Sequence, residues 1–230
     1  MAFSIALIPP IIVSGWYHDG ELPDFVTTLV TLLTLGLVLR LSFKKDVQTM
    51  RRRDGFLIVA AFWLLLSLIS AMPLALGPHH MSPLDSIFEA TSGITTTGAT
   101  VISDLNVIPP SILFYRQELQ WIGGMGLIVL AIAILPMLGI GGTQLYRAET
   151  PGPMKDEKLT PRLTHTARNL WIVYVVLTII CALAYWLAGL APLDALEHSF
   201  STISTGGFST HNERYRSGGW EKCFVGRNDL

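Results

Sequence analysis

Half of the 230 residues are hydrophobic and only 14% are charged. The apolar side chains are gathered into long uncharged blocks, so the chain reads as a membrane protein rather than a soluble domain. A formal net charge of −1 offers nucleic acid no electrostatic footprint, and the two cysteines, Cys181 in an apolar block and Cys223 in a polar tail, make neither a disulfide framework nor a metal-ligand set.

In chain order, residues 1–13 are apolar but too short to span, contain Pro9-Pro10 and lack the basic start of a secretory signal; they read as a partial or remnant first helix. Crossing the hydrocarbon takes about 20 apolar residues. Residues 25–39, bounded by Asp24 and Arg40, reach that length with their flanks, and residues 56–78, 119–146 and 169–193 reach it without a single charged side chain. Arg40, Lys44, Lys45, Arg51, Arg52 and Arg53 follow the first of these runs, and Arg147, Lys155, Lys158, Arg162 and Arg168 separate the third from the fourth. Basic loops stay in the cytoplasm, so residues 14–24, 77–115 and 189–212, none of which contains Lys or Arg, are expected outside. Trp16, Tyr17, Tyr115, Trp121, Tyr146 and Trp186 stand near span ends, where they suit an interfacial belt against membrane lipid better than base stacking.

One segment occurs twice. Pro83-Leu84-Asp85 leads through Ser92-Gly93-Ile94-Thr95-Thr96-Thr97-Gly98, and 109 residues later Pro192-Leu193-Asp194 leads through Ser201-Thr202-Ile203-Ser204-Thr205-Gly206-Gly207 in the same register. Seven of the eighteen aligned positions are identical, where composition alone gives about one or two. Each copy opens as a helix too short to cross, with proline tolerated in its first turn and Asp85 or Asp194 complementing the positive end of the dipole. The opposite end then presents partial negative charge to the membrane midplane, which favours a cation.

Each helix is followed by a turn rich in Thr, Ser and Gly, residues 95–100 and 204–209. Backbone stays non-helical at membrane depth only where protein buries it or it lines a watery cavity. Glycine permits the positive φ that aims successive carbonyls at one axis, and carbonyl rings replace the hydration shell of potassium. Asp85, Glu89, Asp104, Asp194 and Glu197 would make the outer vestibule acidic.

Glu89 has two open readings, a cation site or a hydrogen-bonding support for its helix. His198 occupies the matching place in the second copy, which argues against a shared metal site. Arg116 and Glu118 read as a mutual or interfacial pair rather than a voltage sensor, which needs regularly repeated arginines. Gly123, Gly124, Gly126, Gly139, Gly141 and Gly142 permit close helix packing or a gating bend, and His79 and His80 read as ordinary loop residues.

The run from Phe88 to Thr100, then Phe114-Tyr115-Arg116-Gln117 with Gln120-Trp121-Ile122-Gly123-Gly124-Met125-Gly126, then Gln144-Leu145-Tyr146-Arg147-Ala148-Glu149 with Pro151-Gly152-Pro153, and finally Gly206-Gly207-Phe208-Ser209-Thr210-His211, together resemble the Trk/Ktr/HKT superfamily of potassium transporters, on the side of its bacterial TrkH/TrkG membrane subunits. The resemblance covers residues 15–212. It implies an all-α polytopic membrane protein of helix–pore helix–helix repeats with re-entrant filter loops, placed in the bacterial inner membrane. Gly98 and Gly207 fall on the filter glycines, and Thr96, Thr97, Thr205 and Gly206 on the adjoining carbonyl donors; Asp85, Glu89 and Asp194 fall in the vestibule or the pore-helix supports. Glycine at the position of Gly98 goes, in this superfamily, with potassium preference, and serine with sodium permeation. The resemblance also implies homodimers and a cytosolic NAD/ATP-binding regulatory subunit of the TrkA type, with potassium as transported substrate and no cofactor.

Family members join four repeats, whereas this chain divides into N-terminal helices with a basic loop (residues 1–54), one complete repeat (55–146), a cytoplasmic loop (147–168), a second repeat ending after its filter (169–212) and a polar tail (213–230) without helical apolar periodicity. The expectation is therefore the N-terminal half of a potassium-uptake subunit. Its rival is a non-transporting fragment, the product of a disrupted gene or an interaction partner of an intact homologue. For an enzyme, no nucleophile–base pair, phosphate loop or metal-ligand cluster speaks.

Overall fold

The computed structural model describes residues 2–42, 52–77, 81–134 and 159–211, and among these every regular element is helical. Most of the basic loop residues (Lys44, Lys45, Arg51, Arg147, Lys155, Lys158), His79, His80, Tyr146, Gly139, Gly141, Gly142, the motifs at residues 144–153, Cys223 and the tail at 213–230 lie outside the described residues.

A short 3-10 turn, Ala2–Leu7, runs into α1 (Ile8–Tyr17). Together they are too short to span, and Leu7 packs into the core. α2 (Leu22–Ser42) is a full span. Its hydroxyls cost nothing in an apolar medium because they bond within the helix: Thr28 donates to the Asp24 carbonyl at 2.8 Å and Thr31 to that of Thr27 at 2.7 Å. Its buried side chains, Phe25, Thr28 and Leu32, share one face, while Val30, Leu33, Leu37 and Val38 stay exposed, as lipid-facing residues do.

The second span is broken. α3 (Arg52–Ser70) stops at Ala71, and α4 (Met72–Leu76) restarts with Pro73 in its first turn. Proline has no N–H for the Ile69 carbonyl, and its ring pushes the preceding turn aside. The loosened Ser70 carbonyl takes the Tyr115 hydroxyl at 2.9 Å.

α5 (Pro83–Ile94) is half-length and lies between this broken span and α6 (Pro110–Ile134). Ala90 and Ile94 of α5, Leu74 of α4, and Tyr115 and Leu119 of α6 close one core with Phe25. α7 (Leu159–Leu187) begins ahead of the uncharged run at residue 169, so Arg162 and Arg168 ride on a helix rather than a loop. It turns at Gly189, φ 105°, and hands over to a second half-length helix, α8 (Pro192–Ile203), packed against both α7 and α6. Three described helical segments, Leu22–Ser42, Leu57–Leu76 and Thr166–Leu187, are long and apolar enough to cross a membrane.

Two aromatic residues expected in an interfacial belt instead pack between helices. Tyr115 is fully buried, its ring 5.5 Å edge-on from Phe25. Trp121 joins α6 to α7 and α8 through Phe200 (5.2 Å), Tyr174 (5.7 Å) and Trp171 (5.8 Å), and its indole N–H donates to Thr178 at 3.0 Å. Trp16, Tyr17 and Trp186 are exposed, as a belt requires.

The outer start of α6 is pinned by the loop between α1 and α2. Asp19 accepts from Ser14 Oγ at 2.5 Å and from the Ser111 amide at 3.1 Å. Burial alone would push its carboxyl up, but these hydrogen bonds and one from the Glu21 amide hold it below its usual range. Neighbouring Glu21 is enclosed, fits where Gly77 has no side chain, and bonds to nothing through its carboxylate. Burial first, then the charges of Asp24 and Asp19, raise it to about 7.

Candidate functional site

The two half-length helices end in the same hydrogen-bonded turn. After α5, the Thr97 amide reaches back to the Ser92 carbonyl at 2.9 Å and the Thr96 amide to that of Gly93 at 2.9 Å; after α8, the Gly206 amide reaches Ser201 at 2.9 Å and the Thr205 amide reaches Thr202 at 3.1 Å. This is the Schellman pattern, which places one residue in left-handed conformation just past the helix. That residue is threonine in both copies, Thr96 at φ 57° and Thr205 at φ 56°. A β-branched side chain resists such a φ, and residues held there cluster at functional sites. Two positions on, the backbone is left-handed again at Gly98 (φ 73°) and Gly207 (φ 82°). The sequence repeat is thus a repeat of backbone conformation, position by position.

The two turns also touch. A side chain at Gly98 would strike the carbonyl oxygen of Gly206, and one at Gly206 would strike the carboxamide of Gln120. Gly207 has open space around it. Thr97 and Thr205 are exposed, Thr96 and Gly98 half-buried and Gly206 buried. All six expected filter residues therefore lie in two abutting loops.

The acids do different things in the two copies. Ser82 caps α5, accepting from the Asp85 amide at 3.1 Å and donating to Asp85 Oδ2 at 2.7 Å, so Asp85 completes an exposed helix start. Asp194 is buried, with His211 Nε2 at 3.9 Å. Asp104 caps a short turn by accepting from the Asn106 amide at 3.0 Å, and Glu197 is buried.

Glu89 is fully buried and pairs with Arg116, not with a solvated vestibule. Arg116 Nε donates to Glu89 Oε1 at 2.7 Å and Nη2 donates to the same oxygen. The Thr100 hydroxyl donates to Oε1 at 2.9 Å and the Val101 amide to Oε2 at 3.1 Å. Of its two open readings, the hydrogen-bonding one describes this geometry: the carboxylate ties α5 to the segment leaving the first loop. Arg116 accordingly has Glu89 as an ion-pair partner. Its guanidinium carbon lies 4.3 Å from the centre of the Phe208 ring in the second loop. A cavity of about 150 Å³ opens beside it, lined among others by Thr100, Ser103, Ser209 and His211.

Gln120, given no role in the sequence, completes the site together with two of the glycines expected to permit close packing or a gating bend. Gln120 Oε1 accepts from the Phe208 amide at 3.2 Å. Gly123 admits the Ile94 carbonyl at the end of α5, and Gly124 admits Ser204 at the end of α8, so both serve close packing. The available signal was the spacing of Arg116, Gln120, Gly123 and Gly124, polar and small residues on one face of an otherwise apolar helix.

A family model described as "TrkH: Cation transport protein" matches residues 21–216. The chain belongs to this family. It is 53% identical over 213 residues to the Trk system potassium uptake protein TrkH of Halomonas elongata, covering 92% of this chain and 44% of that one. It is 50% identical over 211 residues to TrkH of Escherichia coli K12, covering 91% and 44%. The crystal structure of the potassium transporter TrkH from Vibrio parahaemolyticus superposes with a TM-score of 0.81 at 45% identity, covering 95% of this chain and 44% of that one. The chain thus spans less than half the length of these relatives. Together with its apolar spans, membership of the TrkH family makes it a multi-pass membrane protein.

Proposed function

We propose that this chain forms part of a potassium path across the bacterial inner membrane, in the membrane subunit of a Trk-type uptake system. A potassium ion enters from the outer side, exchanges water for backbone oxygens of Thr96, Thr97, Gly98, Thr205, Gly206 and Gly207, and passes down its electrochemical gradient or together with a coupled ion. The observation that carries this is the duplicated backbone: two half-length helices ending in left-handed Thr and left-handed Gly, two positions apart, with the loops in contact. Uncharged side chains there leave the backbone oxygens as the coordinating groups. The helix ends supply a modest negative potential, and the relatives' printed names supply the ion. The TrkH relatives are subunits of Trk systems by name, and we extend this to a homodimer regulated by a cytosolic NAD/ATP-binding subunit of the TrkA type.

The test uses a full-length chain in which residues 1–211 continue into the remaining part of the Halomonas elongata relative, with rubidium and sodium uptake measured in liposomes. Gly98→Ser is expected to lower the rubidium-to-sodium ratio before it lowers expression, because it needs a left-handed φ and meets the Gly206 backbone. Gly126→Ser is the control, since a side chain there makes only ordinary contact with Trp63. Normal selectivity in Gly98→Ser beside a disturbed control would refute the filter assignment.

A further inference from the structure

One face of α6 reaches both loops at once. Arg116, Gln120, Gly123 and Gly124 stand at helical spacing i, i+4, i+7 and i+8. Gly123 and Gly124 let the ends of α5 and α8 approach the helix from two sides. Arg116 binds Glu89 and Thr100 on the first loop's side, the latter at 3.1 Å from Nη2, and stacks on Phe208 of the second. Gln120 holds the Phe208 amide. A planar guanidinium is the side chain that can fork onto a carboxylate and lie flat on a ring together; an ammonium cannot do both. A buried ion pair adds little net stability over an apolar packing, so what it supplies here is a fixed geometry.

We propose that α6 couples the two filter loops, with Arg116 and Gln120 as positioning residues that set their spacing and through it the ion selectivity. This rests on the filter reading above. Disturbing one loop's anchor moves the other, because both anchors share one guanidinium.

The test reads amide hydrogen exchange at Val101 and Phe208, one in each loop, on the 230-residue chain in lipid nanodiscs. Arg116→Gln is expected to speed exchange at both sites about tenfold, as loss of a charge-assisted bond implies. Arg116→Lys is expected to restore protection at Val101 but not at Phe208; restoration at both would overturn the requirement for a planar group. Should Arg116→Gln fail to fold, Phe208→Leu leaves the ion pair whole and is still expected to speed exchange at Val101. An unchanged Val101 in that variant, or an unchanged Phe208 in Arg116→Gln, overturns the coupling. In the full-length chain, Arg116→Gln is expected to lower the rubidium-to-sodium ratio while transport continues. An unchanged ratio there with Gly98→Ser still altered removes this inference alone, whereas unchanged ratios in both variants remove the filter reading beneath it.

Discussion

Of the two loops that follow the half-length helices, the first is held by charge and the second by amide and ring. Glu89, Arg116, Thr100 and the Val101 amide form one buried network around the exit of the first loop. Its counterpart in the second copy is His198, half-buried, with its ring 6.0 Å from Tyr185 and 6.5 Å from His211; there the chain is fixed instead by Gln120 and by Phe208 under the guanidinium. Yet φ at the four left-handed positions agrees closely between copies, 57° with 56° and 73° with 82°. The turn is therefore set locally, by helix-end hydrogen bonds and glycine, and the side chains around it have been free to diverge.

That contrast breaks most sharply at the buried pair. Glu89→Ala leaves Arg116 charged and enclosed, and is expected to cost about 3–5 kcal/mol of stability, read as thermal unfolding in detergent. His198→Ala, at the matching place, is expected to cost less than about 1 kcal/mol. Equal losses would mean that the two loops are anchored alike.

The glycines give the next effect. Gly207→Ala suffers only its left-handed φ, about 1–2 kcal/mol. Gly98→Ala carries that strain and also collides with the Gly206 carbonyl, so it should be the worse by about 1–3 kcal/mol. A reversed order would show that the loops do not abut.

A group outside both loops separates their behaviour from that of the scaffold. Glu21 rises from 4.5 to about 7 on folding, so the folded state holds its proton more tightly. Its stabilising contribution is complete below pH 4.5 and is lost as pH rises through 7. Asp19, held low, acts the opposite way and only at more acid pH. Glu21→Gln should flatten unfolding temperature between pH 5 and 8 and gain about 1–3 kcal/mol at the upper end, with exchange at Val101 and Phe208 unaltered. The smallest effect should be shared: Thr96→Gly and Thr205→Gly each relieve a left-handed β-branched residue, raising stability by about 0.5–1 kcal/mol in equal measure.

Much of this was legible because backbone requirements leave a mark in residue types. Pro83 and Pro192 announced the short helices, Gly98 and Gly207 the left-handed positions, and the repeat put them in register. Thr96 and Thr205 went unrecognised as left-handed because β-branched residues avoid that region, and only the 6→1 hydrogen bond explains why they sit there. Glu89 and Arg116 are 27 residues apart, and nothing along the chain says that Arg116 turns to α5 rather than to Glu118 beside it. Tyr115 and Trp121 have the composition of an interfacial belt; what engages them instead, burying Tyr115 and half-burying Trp121, is the docking of α2, α7 and α8, which no single-helix pattern contains. The break at Ala71 went unread within the run at residues 56–78 although Pro73 stands there, and its use, a carbonyl freed for Tyr115, lies 45 residues along the chain.

The claim that backbone oxygens of the two loops bind the transported ion is tested most directly by anomalous diffraction from crystals of the full-length chain grown in rubidium. Density is expected between the loops, ringed by carbonyls of residues 96–98 and 205–207, and lost in Gly98→Ser. Rubidium held instead by the carboxylates of Asp194 or Glu197, with none between the loops, would contradict it.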